Sequence, residues 1–255
     1  MSDAAVLTEA RDGALLITLN RPDARNAVNA AIAEGVAAAL DRLDEDDALS
    51  VGVLTGAGRG FCAGMDLKAF VAGERPWVGD RGFAGITQRG SRKPLIAAIE
   101  GFAVAGGLEV ALACDLVVAA SGAKLGIPEA KRGLVAAGGA LLHLPGRIPY
   151  HVAMELALTG DPITAERGYE LGLVNRIAEP DHAVTEALTL AAEVAVNGPL
   201  ALAGSKRIIQ ESRDWPQDEM WERQGEISEP ILASEDAQEG SKAFAEKRDP
   251  RWQGR

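Results

Sequence analysis

The chain contains few of the residues that build disulfide frameworks or metal centres. Only two cysteines occur among its 255 residues, Cys62 and Cys114, with neither a CxxC pair nor a framework spacing. We therefore expect both thiols to be small core hydrophobes in a reducing cytoplasm. The histidines, His143, His151 and His182, lack metal-ligand spacing, and neither HExxH nor GxSxG occurs. This argues against a zinc hydrolase and against a serine hydrolase of the usual type.

Basic residues are in the minority, and long apolar runs are absent. Lys and Arg number 26 against 37 Asp and Glu, which gives a formal net charge of −11. Such a chain is a poor general binder of nucleic acids or anionic membranes, and an anionic substrate would need a local basic patch. The N-terminal segment MSDAAVLTEARDG has no signal-peptide pattern, and the longest apolar stretch, around 108–120, is broken by Asp115. We expect no membrane segment and a cytoplasmic protein.

The hydrophobic pattern alternates between strands and helices in the first two-thirds of the chain. ALLITLN, SVGVLT, LIAAI and DLVVAA predict strands, and apolar residues recur at helical spacing from Val28 to Leu43. This alternation favours an α/β core. Later segments predict helices around 139–158, 164–171, 181–196, 199–212 and 217–247. We place the core at 1–195 and a helical region at 196–255.

Two glutamates are candidates for acid–base chemistry. Glu109 lies in GGLEVALAC, on a predicted helix whose other residues are almost all apolar. A carboxylate there is unfavourable unless it is paired, hydrogen-bonded or protonated, although a first-turn acid facing water explains it equally well. Glu129, in IPEAKRG, is by itself better explained as a loop acid paired with Lys131 or Arg132. If a strand and its turns bring them together, burial and repulsion can separate their pKa values and divide acid and base roles.

Two glycine-rich turns are candidates for binding through backbone amides. Gly106 and Gly107 open the helix that carries Glu109, and GAGRGFCAGMDL (56–67) follows a predicted buried strand. Glycines let the main chain approach a ligand, and first-turn N–H groups are unpaired. The two turns can converge on one oxygen as an oxyanion hole, or they only build tight turns. A dinucleotide fingerprint is not met, because Phe61 stands at the last glycine position of GxGxxG.

Six segments occur along the chain in an order typical of one family. They are LNRPDARNAVN (19–29), GFCAGMDL (60–67), AVAGGLEVALACDLVVAA (103–120), LGIPEAKRGLV (125–135), TGDPITAERGYELGLVNRI (159–177) and AFAEKRDPRW (243–252). Together they resemble the crotonase, or enoyl-CoA hydratase/isomerase, superfamily over nearly the whole chain. The resemblance implies an α/β spiral of ββα units with a helical C-terminal trimerisation region, assembled as a homotrimer or a dimer of trimers.

The resemblance also implies an activity, the addition of water to a 2-trans-enoyl-CoA to give a 3-hydroxyacyl-CoA. Glu109 would activate the water, Glu129 would protonate C2, and the N–H groups of Met65 and Gly106 would form the oxyanion hole. The presence of both glutamates favours hydration. The coenzyme A contacts would fall on Arg25, Ala27, Ala63, Asp66, Leu67, Lys68 and Lys247, the last of these reaching across to a neighbouring subunit. We expect no metal, no cofactor beyond the thioester substrate, and no nucleic-acid or membrane partner.

Two segments depart from the family pattern or lack a periodicity of their own. Residues 136–140 are AAGGA, where the family commonly has proline, two residues and a double glycine. Residues 69–92 carry Trp77 and Phe83, and we expect them to line the acyl group and set chain-length preference. The alternatives are an isomerase of the same fold, a carnitine- or sterol-type acyl-CoA hydratase-dehydratase, and a non-catalytic acyl-CoA binder.

Overall fold

The computed structural model describes residues 4–255 and has a mixed α/β architecture. Its strands within this range are β1 (Val6–Arg11), β2 (Ala14–Leu19), β3 (Val51–Gly56), β4 (Trp77–Val78), β5 (Gly82–Phe83), β6 (Leu95–Ile99), β7 (Phe102–Val104), β8 (Leu116–Ala120), β9 (Lys124–Gly126), β10 (Ile163–Thr164) and β11 (Arg176–Ala178).

The helices of the same range fall between these strands and then dominate the C-terminal part. They are α1 (Ala30–Glu45), α2 (Leu67–Val71), α3 (Gly106–Leu112), α4 (Ala140–His143), α5 (Tyr150–Thr159), α6 (Ala165–Glu170), α7 (Ala183–Ala195), α8 (Pro199–Glu211), α9 (Met220–Leu232) and α10 (Glu235–Glu246). Short 3₁₀ turns add to these, of which Pro128–Arg132 matters for the site.

The main sheet has six strands in the order β1-β2-β3-β6-β8-β11, and all neighbours except β1 and β2 run parallel. One face contributes residues such as Leu54 and Ile99 to a core that includes α1 and α3. The other face, with Val53 and Ile96, packs against Ala187 and its neighbours on α7. Burial on both faces explains why the central strands are continuous apolar runs.

A second, smaller sheet produces the spiral. It has the order β10-β9-β7, and an isolated parallel bridge joins Cys62 to Ala103 of β7. Each of β3, β6 and β8 in the main sheet is therefore followed by an extended segment in the second layer and then by a helical turn. This confirms the predicted α/β spiral of ββα units.

Two of the predicted helices are wrong in extent. The helix expected over 139–158 is divided, because α4 ends at His143 and α5 begins only after Pro149. The helix expected over 217–247 is two helices, separated at Ser234, whose side chain accepts a hydrogen bond from the N–H of Ala237 and so caps α10. A capping residue and a proline each favour a new helix start over continuation.

The predicted division after residue 195 falls in the connection between α7 and α8. Helix α7 packs on the main sheet, whereas α8 packs against α9, with Gly204 in contact with Ile231. An ion pair of 2.7 Å between Lys206 of α8 and Asp115 ties the helical region back to the core. The division into two domains stays a prediction.

Within residues 4–255, no single helix combines the length and the apolar character needed to cross a bilayer. The pair Ala183–Ala195 and Pro199–Asp214 meets that requirement only when taken together, and it is bent by 107°.

Candidate active site

The register of the second layer brings three turns to one place. Cys62 pairs with Ala103, and Ala103 pairs with Leu125 of β9, all in parallel. Parallel strands in register end at the same edge, so the residues that follow each strand lie side by side. Three residues beyond Cys62 and Ala103 stand Met65 and Gly106, and the turn containing Glu129 follows β9. The site is therefore assembled by strand pairing between distant parts of the chain.

Two backbone amides are free at this edge. Among the hydrogen bonds of residues 4–255, none uses the N–H of Met65 or that of Gly106. The two turns are in close contact, since a Cβ added to Gly64 would lie 2.9 Å from the amide nitrogen of Gly106. The adjacent Ala105 adopts φ 54° and ψ −134°, a conformation that strains a residue with a side chain and that places Gly106 at the start of α3. Two unpaired backbone N–H donors on adjacent turns are the groups that an oxyanion hole requires.

Glu109 lies within the core, not in water. Its side chain projects from α3 and is 5% exposed, and its Oε1 accepts a hydrogen bond from the N–H of Ala140 at 3.2 Å. Burial raises the pKa of Glu109 to about 6, the Ala140 amide opposes that rise, and the charge of Glu129 adds to it. The carboxyl is therefore able to exchange a proton near neutral pH.

Glu129 lies on the Pro128–Arg132 turn, and its negative charge acts on the Glu109 carboxyl. Its Oε2 is buried and has no hydrogen-bond partner among the described residues. Burial raises the pKa of Glu129, and the nearby charge of Arg132 opposes the rise. Lys131 pairs with Asp161, so of the two cations considered as partners of Glu129, Lys131 is wrong and Arg132 acts on Glu129 through its charge. An unsatisfied carboxyl oxygen beside a second carboxyl is a reactive arrangement, because a ligand or water would satisfy it.

The structure brings together most of the residues expected to contact coenzyme A. The N–H of Ala63 donates to the carbonyl of Arg25 at 3.1 Å, so the loop of Arg25 and Ala27 lies against the turn that carries Met65. The side chains of Arg25 and Lys68 are exposed, as a role in binding phosphates requires. Leu67 begins α2 and is also exposed.

Two of the residues expected to contact coenzyme A differ from this cluster. Asp66 is engaged within the chain, and Lys247 lies on another element. The carboxylate of Asp66 caps α2 through the amides of Lys68 and Ala69 and pairs with Arg21 at 3.0 Å, so it is already used within the chain. Lys247 ends α10 with φ 55° and is exposed, and it lies on a different element from the other expected cations.

The segment 69–92 reaches Gly106, at the start of α3, through one aromatic ring. A Cβ added to Gly106 would lie 2.7 Å from the ring of Phe83, which in turn meets Trp77 edge to face at 5.3 Å. Phe83 therefore covers one side of the proposed oxygen site. That the segment sets acyl-chain preference stays a prediction.

Sequence reasoning missed two residues that shape the site. Gly138 lies against the Glu109 carboxylate, since a Cβ there would come within 2.5 Å of Oε2. Asn26 is buried and hydrogen-bonded to three backbone groups beside residues 63–66, the turn that carries Met65 and is named the oxyanion turn. The double glycine at 138–139, in the segment that departs from the family pattern, was the sequence signal available for Gly138. No local pattern marks Asn26, because its partners are distant in sequence.

Residues 9–255 match the family profile described as enoyl-CoA hydratase/isomerase. The chain belongs to this family. It is 42% identical over 259 residues to enoyl-CoA hydratase EchA19 of Mycobacterium tuberculosis, covering 98% of this chain and 96% of that protein. It is 41% identical over 263 residues to the carnitinyl-CoA dehydratase of Salmonella arizonae, with both chains fully covered.

Among solved structures, enoyl-CoA hydratase EchA1 of Mycobacterium marinum superposes with a TM-score of 0.97 at 59% identity, over 99% of this chain and all of that one. These likenesses confirm the family that the six segments predicted.

Proposed function

We propose that the protein is an enoyl-CoA hydratase, which adds water across the 2,3 double bond of 2-trans-enoyl-CoA thioesters to give 3-hydroxyacyl-CoA. The observation that carries this proposal is the pair of carboxyls, buried Glu109 and half-buried Glu129, with raised pKa values beside two free amides. Hydration of a conjugated thioester needs a base, an acid and a site for negative charge on the carbonyl oxygen. The arrangement supplies all three.

The amides of Met65 and Gly106 bind the thioester oxygen in the proposed mechanism. When water attacks C3, the electron pair of the double bond moves through C2 onto that oxygen. Two fixed N–H donors stabilise the enolate-like charge, and one such donor is typically worth ~10²–10³ in rate. The ring of Phe83 packs next to Gly106 and would cover one side of this oxygen.

The two glutamates divide the proton transfers. Ionised Glu109 takes a proton from the water while the water oxygen bonds to C3. Protonated Glu129 delivers a proton to C2. Burial favours the protonated form of Glu129, while Ala140 donates a hydrogen bond that holds the Glu109 carboxylate in place. After product leaves, one proton returns from Glu109 to Glu129, so no other co-reactant is consumed. The reaction balances without a metal ion or a redox cofactor.

The proposed substrate is anionic, and local cations offset the acidic surface. Arg25 and Lys68 lie beside the oxyanion turn and would bind the coenzyme A phosphates. Lys247 would act on the site of a neighbouring subunit, within a homotrimer or a dimer of trimers. Free, buried Cys62 and Cys114 fit a reducing cytoplasm.

The same groups serve the reverse reaction, removal of water from a 3-hydroxyacyl-CoA. The name of the Salmonella relative, carnitinyl-CoA dehydratase, supports a hydroxylated or otherwise polar acyl group as the second candidate substrate. Both directions pass through the same enolate and use the same two glutamates.

Purified protein with 2-trans-enoyl-CoAs of increasing chain length tests the proposal. Loss of the conjugated thioester absorbance, with a 3-hydroxyacyl-CoA product identified by mass, is the expected result. Glu109→Gln and Glu129→Gln should each lower kcat by at least ~10²-fold and leave CoA binding intact, because each removes one proton-transfer group.

The matched control for these variants is Glu155→Gln, an exposed glutamate on α5 that takes no part in the proposed proton transfers. It should retain wild-type turnover. Tight acyl-CoA binding without turnover at any chain length would identify a non-catalytic binder instead. A product with a moved double bond and no added water would identify an isomerase.

A further inference from the structure

Asn26 joins three segments of the chain around the oxyanion turn. The residue is 1% exposed, and its Oδ1 accepts a hydrogen bond from the N–H of Arg21 at 2.9 Å. Its Nδ2 donates to the carbonyls of Ala57 and Gly60, both at 2.9 Å. Both donor hydrogens are used and the side chain is sealed from solvent, so Asn26 cannot itself contact substrate.

The main chain of Asn26 is connected to the segment that carries Met65. The thiol of Cys62 donates to the Asn26 carbonyl at 3.1 Å, and the N–H of Gly64 donates back to Sγ at 3.4 Å. Two residues after Asn26, Val28 exchanges backbone hydrogen bonds with both neighbours of Met65: its N–H donates to Gly64 at 2.8 Å, and its carbonyl accepts from Asp66 at 2.9 Å. The direction of the Met65 amide is therefore set by where Asn26 holds residues 26–28.

We propose that Asn26 is a positioning residue that aims the Met65 amide at the thioester oxygen. The inference rests on the proposed function and goes beyond it, because Asn26 acts through Val28 and Cys62 without touching the substrate. It also links the two ends of the ligand. Arg25, the proposed phosphate contact, immediately precedes Asn26, so the nucleotide end of the substrate and the oxyanion amide are held by one loop.

The identity of the side chain follows from its surroundings. Asn26 has φ 55°, in the left-handed region that asparagine tolerates better than most residues. Aspartate has the same shape but no N–H donors, and its second oxygen would face the carbonyls of Ala57 and Gly60. Glycine tolerates the backbone conformation but removes all three side-chain hydrogen bonds. These two substitutions therefore test the side chain without forcing the backbone.

Steady-state kinetics of Asn26→Gly and Asn26→Asp with an enoyl-CoA substrate give the first measurement. A misaimed donor weakens the transition state more than the bound substrate, so kcat should fall about 10- to 100-fold while KM changes less than about 3-fold. The matched control is Asn175→Gly, which removes a side-chain hydrogen bond to the N–H of Val117 at the start of β8, away from the oxyanion turn. It should keep kcat within about 2-fold of wild type.

A spectroscopic measurement separates positioning from general damage. An aryl-conjugated enoyl-CoA absorbs at longer wavelength when its carbonyl accepts hydrogen bonds, and the Glu109→Gln background keeps it from being consumed. We expect the bound probe to show its full red shift in the background and in Asn175→Gly, and less than half of it in either Asn26 variant. Full red shift together with near-wild-type kcat in the Asn26 variants would overturn the proposal.

Cys62→Ala provides a second, milder variant on the same connection. It removes only the thiol between the Asn26 carbonyl and the Gly64 amide, and it should lower both kcat and the red shift in the same direction. If the Asn26 variants do not fold, this variant decides, and unchanged kcat and red shift in it overturn the inference. Absence of hydration by the wild-type protein would count against the proposed function instead, so the two failures are distinguishable.

Discussion

Glu109 and Glu129 are the same chemical group in two different surroundings. Glu109 is held by the Ala140 amide inside the core, whereas Glu129 keeps one buried oxygen without a partner. Burial raises both pKa values, and the charge of Glu129 raises that of Glu109 further. Burial alone does not separate the two groups, so the roles of base for Glu109 and acid for Glu129 belong to the proposed mechanism, in which the Ala140 amide stabilises the ionised form of Glu109.

The pH dependence of hydration should report the ionisation of Glu109. As the base, Glu109 must be ionised, and its pKa is raised to about 6. The value of kcat/KM should therefore fall about tenfold per pH unit as the pH drops below 6, and it should fall again on the alkaline side, where Glu129 loses the proton that the mechanism needs. A profile between pH 5 and 8 measures this, with Glu155→Gln as a control that keeps the same shape. A level profile down to pH 5 would exclude Glu109 as the base.

Glu109 should also lower the stability of the protein at neutral pH. A carboxyl whose pKa is raised on folding, here from 4.5 to about 6, favours the folded state while protonated, and this advantage is lost as pH rises through 6. The loss is about 2 kcal/mol. Glu109→Gln should therefore be more stable than wild type at pH 8 by about that amount, and the difference should shrink towards pH 4.5. Urea unfolding at the two pH values measures it, and an equal difference at both would contradict the assigned cause.

At the scale of elements, the loop before α4 shapes the site through its small residues. Gly138 leaves room for the Glu109 carboxylate, and Ala140 supplies the amide that the carboxylate accepts. This loop is also where the sequence departs from the family pattern. The departure leaves the amide contact with Glu109 in place.

Gly138→Ala should displace the Glu109 carboxylate with little loss of fold. The added Cβ would lie 2.5 Å from Oε2, and the carboxylate, as the end of a flexible side chain, would move. We expect kcat to fall at least about tenfold, because a misplaced base transfers protons less efficiently. Gly90→Ala is the matched control, since its Cβ would meet only the Ala113 carbonyl at an ordinary 3.6 Å. Equal turnover by the two variants would contradict this role for Gly138.

The sequence predicted the long apolar elements of the fold better than the short ones. Helix α1 and strands β2, β3, β6 and β8 follow from periodicity, because burial on one or both faces leaves a pattern in the residues. Strands β7, β9 and β10 have three residues or fewer and exist through pairing with distant segments. That pairing aligns Cys62, Ala103 and Leu125, which no local pattern could indicate. The two glycine-rich turns allowed convergence on one oxygen without requiring it, and only the motif resemblance pointed to the amides of Met65 and Gly106.

At the scale of the whole molecule, the helical region exposes large apolar side chains. Trp221 and Phe244 are 81% and 87% exposed, and Leu232 and Ile209 are also largely exposed. Monomeric proteins rarely expose many such residues on one region, so these side chains favour burial against further subunits. The same region carries Lys247, whose proposed target is a neighbouring site.

The exposed apolar side chains predict association, and the family resemblance predicts that the mass in solution is that of a trimer or a hexamer. Replacing both Trp221 and Phe244 by serine should lower that mass, because it removes the apolar area that association buries. Light scattering coupled to gel filtration measures the mass. Val71→Ser changes an equally exposed residue outside the helical region, 86% exposed, and should leave the mass unchanged. A wild-type monomer would overturn the proposed assembly.

The contact between Gly64 and Gly106 limits how this chain can diverge. Any side chain at position 64 would cover the neighbouring amide nitrogen, which leaves that position closed to substitution in any descendant that keeps the reaction. The exposed part of segment 69–92, where Val71 is 86% exposed, carries no such restriction, whereas Gly138 in segment 136–140 does. New substrate preferences in this lineage are therefore expected to arise by change in the exposed part of 69–92, while the proposed thioester site is inherited unaltered.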